Sequence, residues 1–448
     1  MLFTTDKQTQ EDLNIYGKQG TESILSLFNK TSTLNAARML EEMFNYPLSD
    51  AGAINKRSGI IRYLKVTRAA FPFSSELFDQ AEPYLANIDE RTKLSTEKHS
   101  LEKKLTNLVA ADADYKQIVN GITALVEIIK QLDDFLKNTL LVTGSPLNED
   151  PETLEIVSHF TAEPVSRLLE ENRKNKLSKE KLAIYDTLLR FRHRETVQRI
   201  LRYVYQLDVY ITVARVAAER NYVFPDALDK GSQSLVIEGF YHMQIKNAVP
   251  NTLIINSESN VVFLTGANMA GKSTFMKSLG IAMYLAHMGF PVAAKKMEFS
   301  VLDGIYTTIN LPDNLGIGAS HFYAEVLRIK KVAKELSAGK NIFVIFDELF
   351  RGTNVKDAYE ATIAITSAFA QKRNSIFVIS THIIEAGPVL KERCANISFS
   401  YLPTRMKGST PEYTYTLETG ITSDRHGMII IHNEGILDIL KRGKGITK

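Results

Sequence analysis

Residues 266–273 constrain the fold more than any other stretch of the chain. They read Gly-Ala-Asn-Met-Ala-Gly-Lys-Ser, follow an apolar run at 261–264 and precede a helical pattern over 274–287. A glycine-rich turn between a strand and a helix turns backbone amides inward, and the helix N-terminus adds partial positive charge. The motif therefore predicts a phosphate-binding loop, in which Lys272 reaches the β- and γ-phosphates of ATP and the Ser273 hydroxyl holds Mg²⁺.

All residues of this loop, and the first residue after it, are predicted nucleotide contacts: Gly266, Ala267, Asn268, Met269, Ala270, Gly271, Lys272, Ser273 and Thr274. The alternative is a chance glycine turn that carries a lysine. The strand and helix patterns on either side favour the functional interpretation.

Two further apolar runs end in residues suited to phosphate chemistry. The run at 342–346 ends in Asp347 and Glu348, and the run at 376–380 is followed by Thr381 and His382. Ligands bind at the carboxyl ends of strands in open α/β sheets. We predict that Asp347 holds Mg²⁺, directly or through water, and that Glu348 polarises the attacking water. His382 is predicted to sense the γ-phosphate or orient water. The alternatives are an acidic turn and a structural histidine.

The stretch 313–322 has a second phosphate-binding pattern. It reads Asp-Asn-Leu-Gly-Ile-Gly-Ala-Ser-His-Phe, so that small residues lead to Ser320 at the start of a helical pattern. Because the 266–273 loop already provides a local cradle, a second one indicates a nucleotide shared across a dimer, as in the ABC class of ATPases. An ordinary helix-capping serine is the alternative.

The two halves of the chain differ in hydrophobic pattern. From 21 to 220 it is helical, with one apolar face formed by Ile122, Leu125, Val126, Ile129, Leu132 and Leu136. Beyond 230, strand-like runs at 234–239, 251–256, 261–266, 341–348 and 375–381 alternate with helical stretches, which predicts a parallel α/β sheet. We predict an all-α domain over 1–230 and an α/β nucleotide-binding domain over 231–448.

The amino-acid composition does not specify the binding partner. Net charge is +3 from 54 basic and 51 acidic residues, which neither requires nor excludes nucleic acid. The basic run 167–202 is either a solvated helix face or a phosphate-contacting surface. The single cysteine, Cys394, excludes an intrachain disulfide. No signal-like segment opens the sequence and its apolar runs are too short to cross a bilayer, so we expect a cytoplasmic protein with no membrane association.

Taken together, these motifs resemble the ATPase domain of the MutS family of DNA mismatch-repair proteins in order and spacing. The matching segments are LTGANMAGKSTFMKSLG, VAAKKMEFSVLDGIYTTINLPDNLGIGASHFYAEV, FVIFDELFRGTNVKDAYE and ISTHIIE. The first half matches the family's core domain more loosely, through TESILSLFNKTSTLNAARMLEEMFNYPLSD and QLDVYITVARVAAERNYVFPDA. The resemblance covers nearly the whole chain.

The resemblance implies an all-α core and lever domain followed by an ABC-type P-loop NTPase domain. It implies that Asn268, Lys272 and Ser273 bind ATP and Mg²⁺, that Asp347 and Glu348 are the acidic pair, and that His382 is a switch. Ser320 would reach the γ-phosphate in the partner's site, and 352–354 would join the two sites. ATP would then close a homodimeric clamp around DNA.

Some family features are expected to be missing. The mismatch-reading domain with its Phe-x-Glu wedge, the connector and a nuclease module have no counterpart, and the clamp looks reduced. Val249 stands where the family stacks an aromatic residue on adenine, with Tyr241 as a nearby candidate, and Ala270 replaces a glycine. The preferred hypothesis is an ATPase that acts on DNA structure. Mismatch recognition and an ATP-switched protein-interaction scaffold are the alternatives.

Overall fold

The chain divides into two compact units that are not continuous in sequence. The computed structural model describes residues 3–17, 21–94, 108–172, 176–309, 321–407, 410–422 and 435–442. We call Phe28–Met43 with Gly59–Ala218 the helical unit, and Met1–Leu27, Phe44–Ser58 and Glu219–Lys448 the sheet unit. The domains expected from sequence, 1–230 and 231–448, differ from these units because two early segments belong to the sheet unit. Hydrogen bonds tie these segments into that unit: Leu48 N, for example, donates to His287 O at 2.7 Å.

Helices dominate the first half, as its hydrophobic pattern predicts. Short 3₁₀ turns occur at Glu90–Thr92 and Pro146–Asn148, and π-helical turns at Leu136–Leu140 and Thr187–Arg192. The α-helices are α1 (Lys7–Asp12), α2 (Ile24–Phe28), α3 (Leu34–Asn45), α4 (Ala51–Thr67), α5 (Ser75–Ala86), α6 (Leu108–Phe135), α7 (Pro151–Thr161), α8 (Val165–Glu170), α9 (Lys179–Asp186) and α10 (Arg194–Glu219).

The predicted apolar face, which comprises five residues of α6 and Leu136 directly after it, lies in the core of the helical unit. All six of its residues between Ile122 and Leu136 are at most 8% exposed. α6 lies close to α5 at Gly121, where an added Cβ would lie 2.2 Å from Tyr84 Cβ. Only glycine fits at this crossing.

The second half forms two principal sheets. Its strands are β1 (Asp226–Leu228), β2 (Leu235–Phe240), β3 (Asn251–Ile255), β4 (Val261–Gly266), β5 (Lys296–Ser300), β6 (Gly304–Thr308), β7 (Ile342–Phe346), β8 (Ile376–Ser380), β9 (Ile397–Leu402), β10 (Thr404–Lys407), β11 (Thr410–Tyr413) and β12 (Glu418–Thr419). The helices are α11 (Lys272–His287), α12 (His321–Ser337), α13 (Val355–Ala370), α14 (Ala386–Arg393) and α15 (Ile436–Arg442).

The larger sheet has the strand order β12-β9-β4-β8-β7-β6, and its five long strands are parallel. Every residue of β4, β7 and β8 is buried, as expected for parallel strands covered on both faces. Because these strands are parallel, their carboxyl ends lie at one edge of the sheet.

The prediction that β2 and β3 join this parallel sheet is wrong. They belong to a separate four-stranded sheet of order β1-β5-β2-β3, and they pair antiparallel. Exposed positions interrupt the burial of both strands, which is typical of a sheet with one solvated face. Antiparallel neighbours need no helical crossover, and no helix is described between them. In the part of the chain that is described, no helix has the length and apolar character of a bilayer-spanning segment.

His287, at the end of α11, makes stability depend on pH. Its ring is 1% exposed; Nε2 accepts from Leu302 N at 3.1 Å and Nδ1 lies 2.8 Å from Met283 O. Burial lowers its pKa from 6.5 to about 4. The unfolded chain therefore binds more protons between these pH values, so stability falls as pH falls from 6.5 to 4, by on the order of 3 kcal/mol. We expect His287→Gln to flatten this part of the Tm–pH profile; an unchanged slope would contradict the assignment.

Candidate nucleotide site

The glycine-rich loop joins β4 to α11 and is shaped by positive backbone angles. φ is 148° at Gly266, 70° at Met269 and 99° at Gly271, and Met269 is 75% exposed. Glycine enters this region without a steric penalty, whereas methionine does so at a cost. The loop therefore curves tightly between strand and helix, as the motif predicts.

Lys272, the first residue of α11, is held inside this loop. Its Nζ donates to Gly266 O at 2.9 Å and to Ala267 O at 3.2 Å, and the residue is 5% exposed. Burial lowers the pKa of the amine, and the charges of Asp347 and Glu348 act in the opposite direction. The lysine, which follows β4, therefore shares one electrostatic environment with both acids, which follow β7.

Asp347 lies directly after β7 and is fixed by two hydroxyls. Ser273 Oγ donates to Asp347 Oδ2 and Ser380 Oγ donates to Asp347 Oδ1, each at 2.5 Å. Burial raises the pKa of Asp347, and the two serine hydrogen bonds oppose that shift. Ser380 also accepts from Glu348 N at 3.0 Å. Sequence reasoning missed this serine because it is the last residue of an apolar strand.

Glu348 is held between a histidine and an arginine. Its Oε1 lies 2.6 Å from His382 Nε2, and its Oε2 lies 3.2 Å from Arg351 Nη1. The His382 hydrogen bond is the largest contribution that lowers the pKa of Glu348; burial opposes it. Glu348 has φ 56°, a left-handed conformation that is unfavourable for glutamate. The structure thus brings Ser273, Asp347, Glu348 and His382 together.

A cavity of about 390 Å³ adjoins the loop. Its lining includes Tyr241, Val249, Gly271, Thr274 and Tyr415. An added Cβ on Gly271 would lie 2.9 Å from Tyr415 Cδ1, so the tyrosine packs directly against the loop. Tyr241, Tyr415 and the apolar Val249 therefore line one cavity. Tyr415 carries no local sequence signal.

Asn251 fixes the segment that carries Tyr415. Its Nδ2 donates to Tyr415 O at 2.9 Å, and its Oδ1 accepts from Leu417 N at 2.7 Å. The side-chain amide therefore ties the start of β3 to residues 415–417.

Residues 352–354 and Ser320 were also predicted to take part in the site. Asn354 caps α13, with Oδ1 accepting from Asp357 N at 2.9 Å, and Gly352 before it is exposed. Ser320 and the stretch 313–320 lie outside the described residues.

The oxygen atoms at the carboxyl ends of these strands are suitable ligands for Mg²⁺. This cation prefers oxygen ligands such as hydroxyl and carboxylate groups. The adjacent oxygens of Ser273 and Asp347 are of that kind, and they lie next to the phosphate-type loop.

Two family models match the chain, and together they cover most of it. MutS domain III matches residues 8–214 and MutS domain V matches residues 262–447. The chain belongs to the MutS family.

Curated relatives agree. A DNA mismatch repair protein MutS from Petrotoga mobilis is 27% identical over 66% of this chain and 37% of its own length. One from Fusobacterium nucleatum is 26% identical over 57% of this chain and 29% of its own length. The chain thus spans about a third of the length of these relatives.

Proposed function

We propose that this chain is an ATPase of the MutS family, whose sheet unit has the P-loop NTPase fold of the ABC class and hydrolyses ATP with Mg²⁺. The observation that carries the proposal is the convergence of Lys272, Ser273, Asp347, Glu348 and His382 at the carboxyl edge of one parallel sheet. Separate motifs supply these residues, and chance would not bring all of them to one edge.

Each of these residues would have its own role in ATP binding or hydrolysis. Loop amides and Lys272 would bind the phosphates, and Ser273 and Asp347 would hold Mg²⁺, which neutralises phosphate charge when bound. The hydrogen bond from His382 lowers the pKa of Glu348 and favours its carboxylate form, which can orient and deprotonate a water. His382 fixes the carboxylate through its 2.6 Å contact.

The cavity beside the loop would take the adenine base, and Tyr415 would stack on it. Stacking of a base on an aromatic ring contributes roughly 1–3 kcal/mol. Tyr415→Ala should therefore weaken ATP binding about tenfold, while Tyr415→Phe, which keeps the ring, should bind as the wild type does. Equilibrium titration with a fluorescent ATP analogue measures both; equal affinity of the alanine variant would remove Tyr415 from the site.

We further propose a homodimer in which Ser320 of one copy completes the nucleotide site of the other, with DNA as the partner of the closed state. The family membership supports this, as does the name of the relatives. A cytoplasmic location remains a prediction.

The basic run 167–202 gives this DNA role less support than its composition indicates. Several of its side chains are paired inside the unit: Arg167 with Glu163, Lys181 with Glu171, Arg199 with Glu155, and the buried Arg190 with Asp186. Lys176, Lys179 and Arg192 are exposed, while Arg173 and Lys174 lie outside the described residues. Of these four side chains only Arg190 is withdrawn from solvent, because Arg167, Lys181 and Arg199 each remain more than half exposed. The second candidate is an ATP-switched protein scaffold.

A panel of DNA structures separates the two candidates. Homoduplex, mismatched and branched DNA are titrated at low and moderate salt, with and without ATP. The DNA proposal predicts binding that weakens steeply with salt and that responds to ATP. Absence of binding to every DNA at low salt would contradict it and leave the scaffold; a preference for the mismatched duplex would instead indicate mismatch recognition.

A further inference from the structure

Residues 3–12, which we call the leading segment, are built into the sheet unit beside β6. Thr4 forms a parallel bridge with Gly304: Thr4 N donates to Asp303 O at 2.8 Å, and Ile305 N donates to Thr4 O at 3.0 Å. An added Cβ on Gly304 would lie 2.4 Å from Thr4 O. The backbones approach so closely that only glycine fits, and the leading segment thereby covers the edge strand of the larger sheet.

Side chains of α1 then bind the end of β6. Thr9 Oγ1 accepts from Thr307 N at 3.0 Å. Asp12 Oδ2 accepts from Thr307 Oγ1 at 2.7 Å and from Ile309 N at 2.9 Å. β6 is the last strand of the larger sheet, and these backbone and hydroxyl groups lie on its outer side. The side chains of α1 therefore supply hydrogen-bond partners that a further strand would otherwise provide.

A buried ion pair links the leading segment to α12. Both terminal nitrogens of Arg328, Nη1 and Nη2, contact the Asp6 carboxylate, and Lys331 Nζ lies 2.6 Å from Asp6 Oδ2. Burial acts to raise the pKa of Asp6, but the bonds from Arg328 and Lys331 outweigh it and lower that pKa well below its usual value. The Arg328 and Asp6 side chains are only 7% and 12% exposed.

The same arginine also holds the end of β6. Arg328 Nη2 donates to Thr307 O at 2.7 Å, and Nε donates to Thr308 Oγ1 at 3.2 Å. Asp6, through Arg328, therefore fixes α12 and the end of β6 to each other.

Both of these elements hold the acidic pair. Thr308 O, at the end of β6, accepts from Asp347 N at 2.8 Å. Glu325, on α12, accepts from Arg351 N at 3.3 Å, and Arg351 lies 3.2 Å from Glu348. A short series of direct contacts thus leads from Asp6 to the backbone of Asp347 and the carboxylate of Glu348.

We propose that Asp6 and Arg328 are positioning residues for ATP hydrolysis, holding β6 and α12 in the arrangement that places Asp347 and Glu348. The inference rests on the proposed function of the site. Small displacements of catalytic groups by distant substitutions cost up to about 10² in rate. Since neither residue touches the loop, a loss should appear in kcat and leave nucleotide binding intact.

The test compares three variants of the whole chain by phosphate release, nucleotide titration and Tm. Asp6→Asn removes the charge that pairs with Arg328, and Arg328→Lys keeps a charge but loses the forked contacts. Lys340→Ala is the matched control: it breaks a 2.5 Å ion pair with Glu335, in the last turn of α12. We expect kcat to fall about tenfold in the first two variants, with KM and binding stoichiometry within twofold, and no such loss in the control.

The outcomes separate this inference from the proposed function. A wild type that releases no phosphate contradicts the proposed function, and this inference falls with it. An active wild type with equally active Asp6→Asn contradicts the positioning role alone, as does an equal loss in Lys340→Ala. A reduced binding stoichiometry that accounts for the whole loss would mean that Asp6 serves folding only. If Asp6→Asn does not fold, Arg328→Lys decides by the same criteria.

Discussion

Replacing Lys272 by methionine is expected to lower ATP turnover by about 10²-fold or more. Removing one preorganised donor from a charge-stabilising site typically costs about 10²–10³ in rate. Methionine retains most of the apolar stem that α11 buries, so packing is largely kept. What is lost is the amine that now bonds to Gly266 O and Ala267 O, in the same electrostatic environment as both acids. Steady-state phosphate release at saturating ATP and Mg²⁺ measures the effect.

Lys334→Met provides the control, because Lys334 is exposed on α12. Its turnover should equal that of the wild type. Turnover of Lys272→Met within threefold of the wild type would mean that the loop does not bind the transferred phosphate.

Glu348→Gln should bind ATP but hydrolyse it about 10²–10⁴-fold more slowly, the range typical for removal of a general base. The amide has nearly the shape of the carboxylate but cannot accept a proton from water. Because Asp347, Ser273 and the loop are unchanged, affinity should stay within about threefold of the wild type. Labelled ATP retained on a filter, followed by separation of ATP from ADP, distinguishes bound substrate from product.

The matched substitution is Glu360→Gln, on the exposed side of α13, which should hydrolyse ATP normally. If Glu348→Gln hydrolyses ATP at the wild-type rate and retains ADP, the general base is another residue. Loss of ATP binding would instead show that Glu348 holds the nucleotide.

Sequence patterns predicted the parts of the fold that are local. The loop at 266–273, the buried strands β4, β7 and β8, and the apolar face of α6 each depend on neighbouring residues, and the structure has all of them. The prediction that β2 and β3 join the parallel sheet was wrong, because a strand run does not specify its neighbour. The place of residues 1–27 in the sheet unit was not foreseen either, since bonds such as Thr307 Oγ1 to Asp12 join residues far apart in sequence.

In the candidate site too, residues in local motifs could be predicted and residues placed by tertiary contacts could not. Lys272, Ser273, Asp347, Glu348 and His382 could be found because each stands at a recognisable position after a strand, and the structure places them together. Ser380 and Tyr415 were missed. Ser380 takes its role from its distance to Asp347, and Tyr415 from its packing against Gly271. Such tertiary contacts leave no pattern along the chain.

The most direct test is to mix the wild-type chain with ATP and to measure binding and phosphate release, with Mg²⁺ and with the metal removed by EDTA. A lysine-bearing loop and two strand-end carboxylates at one sheet edge predict saturable binding and continuous phosphate release that requires the metal. A chain that binds no ATP at millimolar concentration in the presence of Mg²⁺ would contradict the assignment of this edge as a nucleotide site.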